Sequence, residues 1–275
     1  MSKMKSKIAI FLAALFIGCA SCVEKIPSTI ERCKVDDEEC LVRTWNEMTL
    51  VAYKSGIPEL DLPLSDKHFV DKQVLSIGSE VLKITITFTN VTVIGLAKTK
   101  YSSIKGFKKD PKEMSGFEIT GFTPFMSVRG HYVGSGKLLL LPVTGSGLGE
   151  VLFGEYQSSS DELTATGVLL STFAFPDNTT FTFKILTKAE VRDGEEYLSP
   201  TKIICDYKSD KHHFSFENIL NNKEISDALN QVLNDNEELF SKEVKGAACL
   251  SVSNVLKRAI FPVFKKYPYR SFFLD

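Results

Sequence analysis

No Gly-x-Ser-x-Gly elbow occurs in the 275 residues, and the chain has only four histidines and one tryptophan. Without the elbow, the exposed serine nucleophile of that fold class has no place to stand. The histidines (His68, His131, His212 and His213) have no Cys or Glu at metal-ligand spacing, and neighbours on a strand, as His212 and His213 would be, point to opposite faces. Beyond residue 22 there is no Cys-x-x-Cys, which argues against a structural zinc site. Phosphate-binding loops are also wanting. Gly130-x5-Gly136-Lys137-Leu138 is one residue too long and places Leu138 where a magnesium-binding Ser or Thr belongs. Gly145-Ser146-Gly147-Leu148-Gly149 lacks the dinucleotide spacing and precedes a strand-like run, not a helix. No basic stripe is present. Lys105, Lys108, Lys109 and Lys112 form one local cluster on a chain whose net charge is −1, a poor match for nucleic acid. These absences predict a protein that is not an enzyme and has no metal, cofactor or nucleic-acid partner.

What is present begins with an address. Lys3, Lys5 and Lys7 precede an apolar run over residues 8–17, and Gly18, Ala20 and Cys22 are small residues suited to cleavage. Residues 1–22 therefore read as a signal peptide, and 23–275 as one domain with no linker or repeat to divide it. Loss of three lysines and no acid takes the net charge to −4. It also leaves Cys33, Cys40, Cys205 and Cys249, which in a secreted chain suggest two disulfides with three connectivities. Cys33 and Cys40 lie seven apart across an acidic turn-like segment and are paired on that ground, leaving Cys205 with Cys249. The longer loop would add roughly 3–4 kcal/mol in the chain-entropy model. Asn90-Val91-Thr92 and Asn178-Thr179-Thr180 are N-glycosylation sequons.

Residues 38–55 read as a first helix, with Leu41, Trp45, Met48 and Ala52 on one face and Gly56 and Pro58 as stops. From 74 to 208 the pattern is β. Leu82, Ile84, Ile86 and Phe88 alternate with polar residues, and a phase change at Asn90 suggests a bulge. Further strands are predicted at 117–125, 130–143, 149–156, 168–175, 179–190 and 201–208. Turn signals fall at 145–149, 158–161, 176–178 and 192–194. Residues 225–264 read as one helix of roughly 60 Å, capped by Asn221, with Gly246 and Pro262 as points of bend or end. Beyond Cys249 its apolar residues fall on nearly every side, so it must be enclosed, and its charges forbid a stable membrane span. The predicted fold is α+β: a long C-terminal helix wrapped by a strongly coiled antiparallel sheet.

Such a chain has an excess of apolar surface, with 20 phenylalanines and the run Leu138-Leu139-Leu140-Leu141. A sheet rolled around an apolar helix leaves an apolar cavity with a few polar anchors. Strand alternation and helix face nominate Trp45, Tyr53, Phe125, Tyr132, Phe173, Phe183, Leu229, Val232, Leu233 and Phe240 as lining. Tyr132, Thr182 and Tyr53 are the candidate anchors. Trp45 also has an ordinary reading as core packing.

Three groups of residues resemble one family. Cys33-Lys34-Val35-Asp36-Asp37 with Cys40, followed by Gly56-Ile57-Pro58-Glu59-Leu60, is similar to the N-terminus of the insect juvenile-hormone-binding and takeout family. Gly130-His131-Tyr132-x3-Gly136-Lys137-Leu138-x2-Leu141-Pro142 resembles its central strand pair. Asn218-Ile219-Leu220-Asn221, Leu229-Asn230-x3-Asn234 and Lys266-Tyr267-Pro268-Tyr269 resemble its C-terminal helix and tail. The resemblance covers nearly the whole chain after the signal. It implies a tubular lipid-binding fold enclosing an apolar tunnel, and a monomeric haemolymph carrier of a small hydrophobic ligand. A second disulfide at the spacing of Cys205 and Cys249 is similar to that of the hormone carriers, which implies juvenile hormone. The alternative is a takeout-like carrier of fatty acid or another lipid in feeding, circadian or chemosensory physiology.

Overall fold

The computed structural model describes residues 26–62, 67–78, 82–138, 140–154, 179–209 and 211–274. The expected signal peptide, strand 168–175, Phe173 and Asn178 lie outside them.

Helix α1 (Glu38–Ser55) starts at Asp37, whose carboxylate accepts the Cys40 amide at 3.0 Å, and stops at Gly56, where φ is +71°. Among the described residues, nine strands follow, paired antiparallel in two sheets. One has the order β1 (Lys67–Gly78), β2 (Leu82–Ile94), β5 (Phe125–Leu138), β6 (Leu141–Gly154), β9 (His212–Phe216); the other has β3 (Lys100–Lys105), β4 (Gly116–Thr123), β7 (Thr179–Arg192), β8 (Glu195–Lys208). The chain ends in α2 (Lys223–Asp235) and α3 (Glu237–Lys266). α3 packs on β1, β8 and β9, edge strands of both sheets. Its stretch Val244–Lys266 is apolar and long enough to cross a membrane by composition, and its buried residues pack on edge strands of the two sheets. Disulfides join Cys33 to Cys40 and Cys205 to Cys249, the second fixing α3 to β8.

Several details depart from the sequence expectations, each for a local reason. The predicted strand 117–125 is two strands in different sheets. Pro124, which has no N–H to give a ladder, sits at the corner, and the buried Thr123 hydroxyl reaches the carbonyls of Gly95 and Phe125 there. The predicted strand 130–143 is instead a hairpin, with Leu138 opposite Leu141 and Leu140 exposed between them. The glycines of 145–149 do not turn the chain. They lie within β6 and make room for rings: a Cβ at Gly145 would come within 2.6 Å of the Tyr132 hydroxyl, and one at Gly149 within 2.9 Å of both Phe88 and Phe216. The bulge at Asn90 is present, with φ at +51° and a register shift between Thr89 and Thr92.

The long helix is two helices. Its cap is Asn222, one residue after the expected Asn221, and it breaks at Asn236, while α3 runs through Gly246 and Pro262. Arg258 and Pro262 are both exposed, so water can serve the carbonyl that loses its donor to the proline. The break follows from what α2 does for β9. Asn230 bonds both backbone groups of Phe216 at 2.9 Å, and Asn234 bonds those of Phe214 at 2.7 and 3.0 Å. Four helical residues rise about 6 Å and two strand residues about 6.6 Å, so asparagines one turn apart match alternate strand residues and stand in for a neighbouring strand. Glu237 continues the row, accepting the His212 amide at 2.6 Å.

Candidate ligand cavity

A cavity of about 670 Å³ lies between α1, the second half of α3 and the concave side of the four-stranded sheet. Helix α1 contributes the face predicted from its spacing, Leu41, Trp45, Met48 and Ala52, together with Thr44. Helix α3 contributes Val252, Val255, Leu256, Ala259, Ile260 and Val263. The sheet adds Tyr101, Phe181 and Phe183, and the two chain ends close the space with Ile26, Ile30, Phe272 and Phe273. Those ends are tied together, since Cys33 bridges Phe273 and the Leu274 amide donates to the Cys33 carbonyl at 2.9 Å.

Polar groups are few inside and more frequent at the rim. Glu31, Asp61, Lys67, His68 and Arg258 border the space. Glu31 pairs with Arg43 at 2.8 Å, Asp61 with Lys266 at 3.8 Å, and Arg258 donates to the Phe69 carbonyl at 2.6 Å. Within, the Thr49 hydroxyl donates to the Trp45 carbonyl at 2.9 Å and lies in hydrogen-bond reach of the Tyr101 hydroxyl. Burial pushes the Tyr101 pKa up, so its phenol stays protonated and able to donate. The Tyr53 hydroxyl has no hydrogen-bond partner among the described residues and stands on the same wall. The surface suits a ligand that is mostly hydrocarbon with one or two acceptors.

A second cavity, of about 70 Å³, lies under the five-stranded sheet, lined by Leu75, Ile86, Tyr132, Phe216, Leu233 and Phe240 among others. The Tyr132 hydroxyl donates to the Glu217 carbonyl at 2.5 Å, and burial, helped by the Glu217 carboxylate, lifts its pKa to about 12.

The nominated residues therefore divide. Trp45, Tyr53 and Phe183 line the large cavity, whereas Tyr132, Leu233 and Phe240 line the small one. Leu229 is half-buried against the core, Val232 is 47% exposed, and Phe125 lies under the Lys98 ammonium at 5.0 Å, so none of these three borders either space. Of the nominated anchors, Thr182 is engaged with Thr120 at 3.2 Å. Sequence reasoning missed Tyr101, Phe181 and the α3 residues from Val252 to Val263. The all-round apolar character past Cys249 was the signal for the last group. Tyr101, on a six-residue strand with Ile104 as its other large apolar residue, had none.

Residues 10–160 and 165–274 match the family model described as haemolymph juvenile hormone binding protein. The chain is similar to the circadian clock-controlled protein daywake of Drosophila melanogaster, 26% identical over 91% of this chain and 89% of that one. The Drosophila yakuba protein of the same name is 26% identical over 90% of this chain and 88% of its own. Takeout 1 of Epiphyas postvittana has a similar fold, with a TM-score of 0.69, 19% identity, and coverage of 90% of this chain and 100% of that structure.

Proposed function

The chain belongs to the haemolymph juvenile hormone binding protein family, and we propose that it is a secreted carrier that holds juvenile hormone in the 670 Å³ cavity. That cavity is the observation that carries the reading: it is within the usual size range of ligand sites, and most of its wall is apolar side chain. Binding is driven by removing hydrocarbon from water, at ~25 cal/mol per Å². The hydroxyls of Tyr53 and Tyr101 are the donors that orient the ligand. Enclosure keeps it from water and from esterases, and no chemical step is required of the protein. The two disulfides and the sequon at the exposed Asn90 support an extracellular setting, with residues 1–22 as the signal and the rest acting as a monomer. The Cys205–Cys249 bridge favours the hormone over a general lipid. The likeness to daywake and to takeout 1 favours the second reading, a carrier of fatty acid or a related lipid.

Equilibrium binding of radiolabelled juvenile hormone, with a long-chain fatty acid as competitor, separates the two. Saturable binding that resists fatty acid supports the hormone. Displacement by fatty acid, or its binding alone, supports the lipid. In the first case Tyr53→Phe should weaken hormone affinity about fivefold, the loss of one hydrogen bond.

A further inference from the structure

The border of the large cavity has two carboxylates and three basic side chains, and their charges do not cancel one another. Each carboxylate has a cation beside it that is not part of the border: Arg43 for Glu31 at 2.8 Å, and Lys266 for Asp61 at 3.8 Å. The bases lie along one stretch. Lys67, His68 and Phe69 are consecutive on β1, and Arg258 of α3 donates through Nη1 to the Phe69 carbonyl at 2.6 Å. Among the described residues, no carboxylate lies within ion-pair distance of Arg258. The helix places this charge at the cavity by position. Between Cys249 and Phe264 the charged residues are Lys257 and Arg258, and of the two Arg258 alone borders the space.

The bond to Phe69 ties one guanidinium nitrogen to the sheet and leaves Nη2 and Nε as donors in a fixed plane. That fork matches a carboxylate, which it can bond at both oxygens. A long-chain acid needs a dry place for its tail and a wet or paired place for its head. Deep in the cavity the head would meet the neutral hydroxyls of Tyr101 and Thr49, and an unpaired charge there is costly. At Arg258, which is exposed, the head keeps water on one side and has a cation on the other. The apolar wall behind it strengthens that attraction relative to open water. A neutral ester head has no charge for the guanidinium to attract.

We propose that Arg258 is a head-group site of the large cavity, receiving the carboxylate of a long-chain acid, straight-chain or isoprenoid, whose hydrocarbon lies between α1 and α3. This rests on the carrier reading above and fixes how an acid lies in the cavity, head at the Arg258 border and tail inward. The hormone, an ester, enters the same space on its hydrocarbon and does not use this site.

The test uses the full secreted chain and a neutral reporter: radiolabelled juvenile hormone or, where that does not bind saturably, N-phenyl-1-naphthylamine. Competitors come in pairs that share a hydrocarbon and differ in the head: palmitic acid with methyl palmitate, and farnesoic acid with methyl farnesoate. Arg258→Gln should weaken the acids about fivefold and leave the esters within about twofold. Lys257→Gln makes the same charge change one residue away, off the cavity, and should move neither. A loss confined to palmitic acid or to farnesoic acid supports the site and says which hydrocarbon it serves. In the wild type, raising sodium chloride from about 0.05 to about 0.5 M should weaken the acids relative to the esters, and Arg258→Gln should remove most of that dependence. Should Arg258→Gln fail to fold, Arg258→Met, which keeps the apolar stem and removes the charge, must split acid from ester in the same way. Acids and esters weakened alike would make Arg258 a strut between α3 and β1. That result, or acids left unchanged, overturns the head-group site and leaves the carrier reading standing. If neither reporter nor any competitor binds the wild type, the carrier reading fails and the site falls with it.

Discussion

Both cavities are walled mainly by aliphatic and aromatic side chains, and one is roughly ten times the other and alone carries charged groups on its border. The difference lies in how the space is filled. At the small end, glycines of β6 are cut away where Tyr132, Phe88 and Phe216 need room, and the rings mesh, Tyr132 against Phe216 at 5.2 Å between centroids. At the large end, Trp45 meets Tyr101 edge-on at 6.2 Å and Phe117 at a tilt at 6.4 Å, and the rings there line a void without filling it. What holds the void open is polar. Asn46 of α1 bonds the Tyr101 amide and carbonyl at 2.9 and 3.0 Å, and Glu38 accepts the Ser103 hydroxyl at 2.6 Å. Asn46 does for edge strand β3 what Asn230 and Asn234 do for β9. At the small end the asparagine clasp closes a packed core. At the large end it hangs a helix over an empty space, and a helix hung by its edge is one that a ligand can pack beneath. On the proposed reading, the ligand site is a packing defect retained by hydrogen bonds.

The largest effect tests the staples of the two regions. In the chain-entropy model, removing Cys205–Cys249, which closes a separation of 44 residues, costs about 4 kcal/mol, and removing Cys33–Cys40, with a separation of 7, costs about 2. Denaturant unfolding of the two Cys→Ala pairs measures both. Equal losses would mean that native-state strain, not loop length, sets their worth. Next comes filling the void. Ala259→Trp places a large ring in the 670 Å³ cavity and should weaken ligand binding about a hundredfold with little loss of stability. Leu233→Trp at the small cavity overpacks a filled core and should cost about 1–3 kcal/mol of stability while leaving affinity nearly unchanged. If Leu233→Trp instead abolished binding, the assignment of function to the large space would be wrong.

Smaller still is the contrast between the clasps. Asn234→Ala strands the Phe214 amide and carbonyl and should lower stability by about 1–3 kcal/mol with ligand affinity intact. Asn46→Ala strands Tyr101 by the same chemistry and should lower both stability and affinity, because α1 is a wall of the cavity. Thermal unfolding with and without ligand separates them. The ligand-induced rise in melting temperature should survive in Asn234→Ala and shrink in Asn46→Ala.

The sequence exposed what rests on period and spacing. The alternation of Ile84, Ile86 and Phe88 marked β2, Asp193-Gly194 with both φ angles positive made the β7–β8 hairpin, and the acidic seven-residue interval placed one disulfide. It concealed what depends on a partner distant in the chain. Gly145 and Gly149 read as a turn because the rings they accommodate lie in other strands. The break at Asn236 is set by the register of α2 on β9, and the single predicted helix took no account of that strand. The lining residues were misplaced for a related reason. The amphipathic stripe of α2, where Leu229 and Leu233 recur, packs on the core and the small cavity, whereas the part of α3 that walls the large cavity is apolar on nearly every side and shows no stripe to select its lining face. Val232 fell on the exposed side of that same helix.

The smallest predicted effect belongs to the closed end alone. His212 is buried at the junction of β9, β8 and α3, with its ring nitrogen 3.0 Å from the Tyr207 hydroxyl, its own amide on the Glu237 carboxylate, and Phe153 and Phe214 against its ring. Burial lowers its pKa below the ordinary 6.5, while the Glu237 charge pulls the other way and is the weaker influence. The unfolded chain therefore takes up this proton first as pH falls, so the unfolded state binds more protons and stability declines from about pH 6.5 downward, through the folded pKa. The melting temperature should drop between neutral pH and about pH 5, and His212→Gln should remove part of that slope. A wild-type curve that is flat over this range, or a variant with the same slope, would show that the imidazole titrates alike in both states. Ligand affinity should not follow the same curve, since His212 borders neither cavity. An affinity that tracked it would mean that the packed end and the open end are coupled through α3, and the division between them would then be one of volume and not of function.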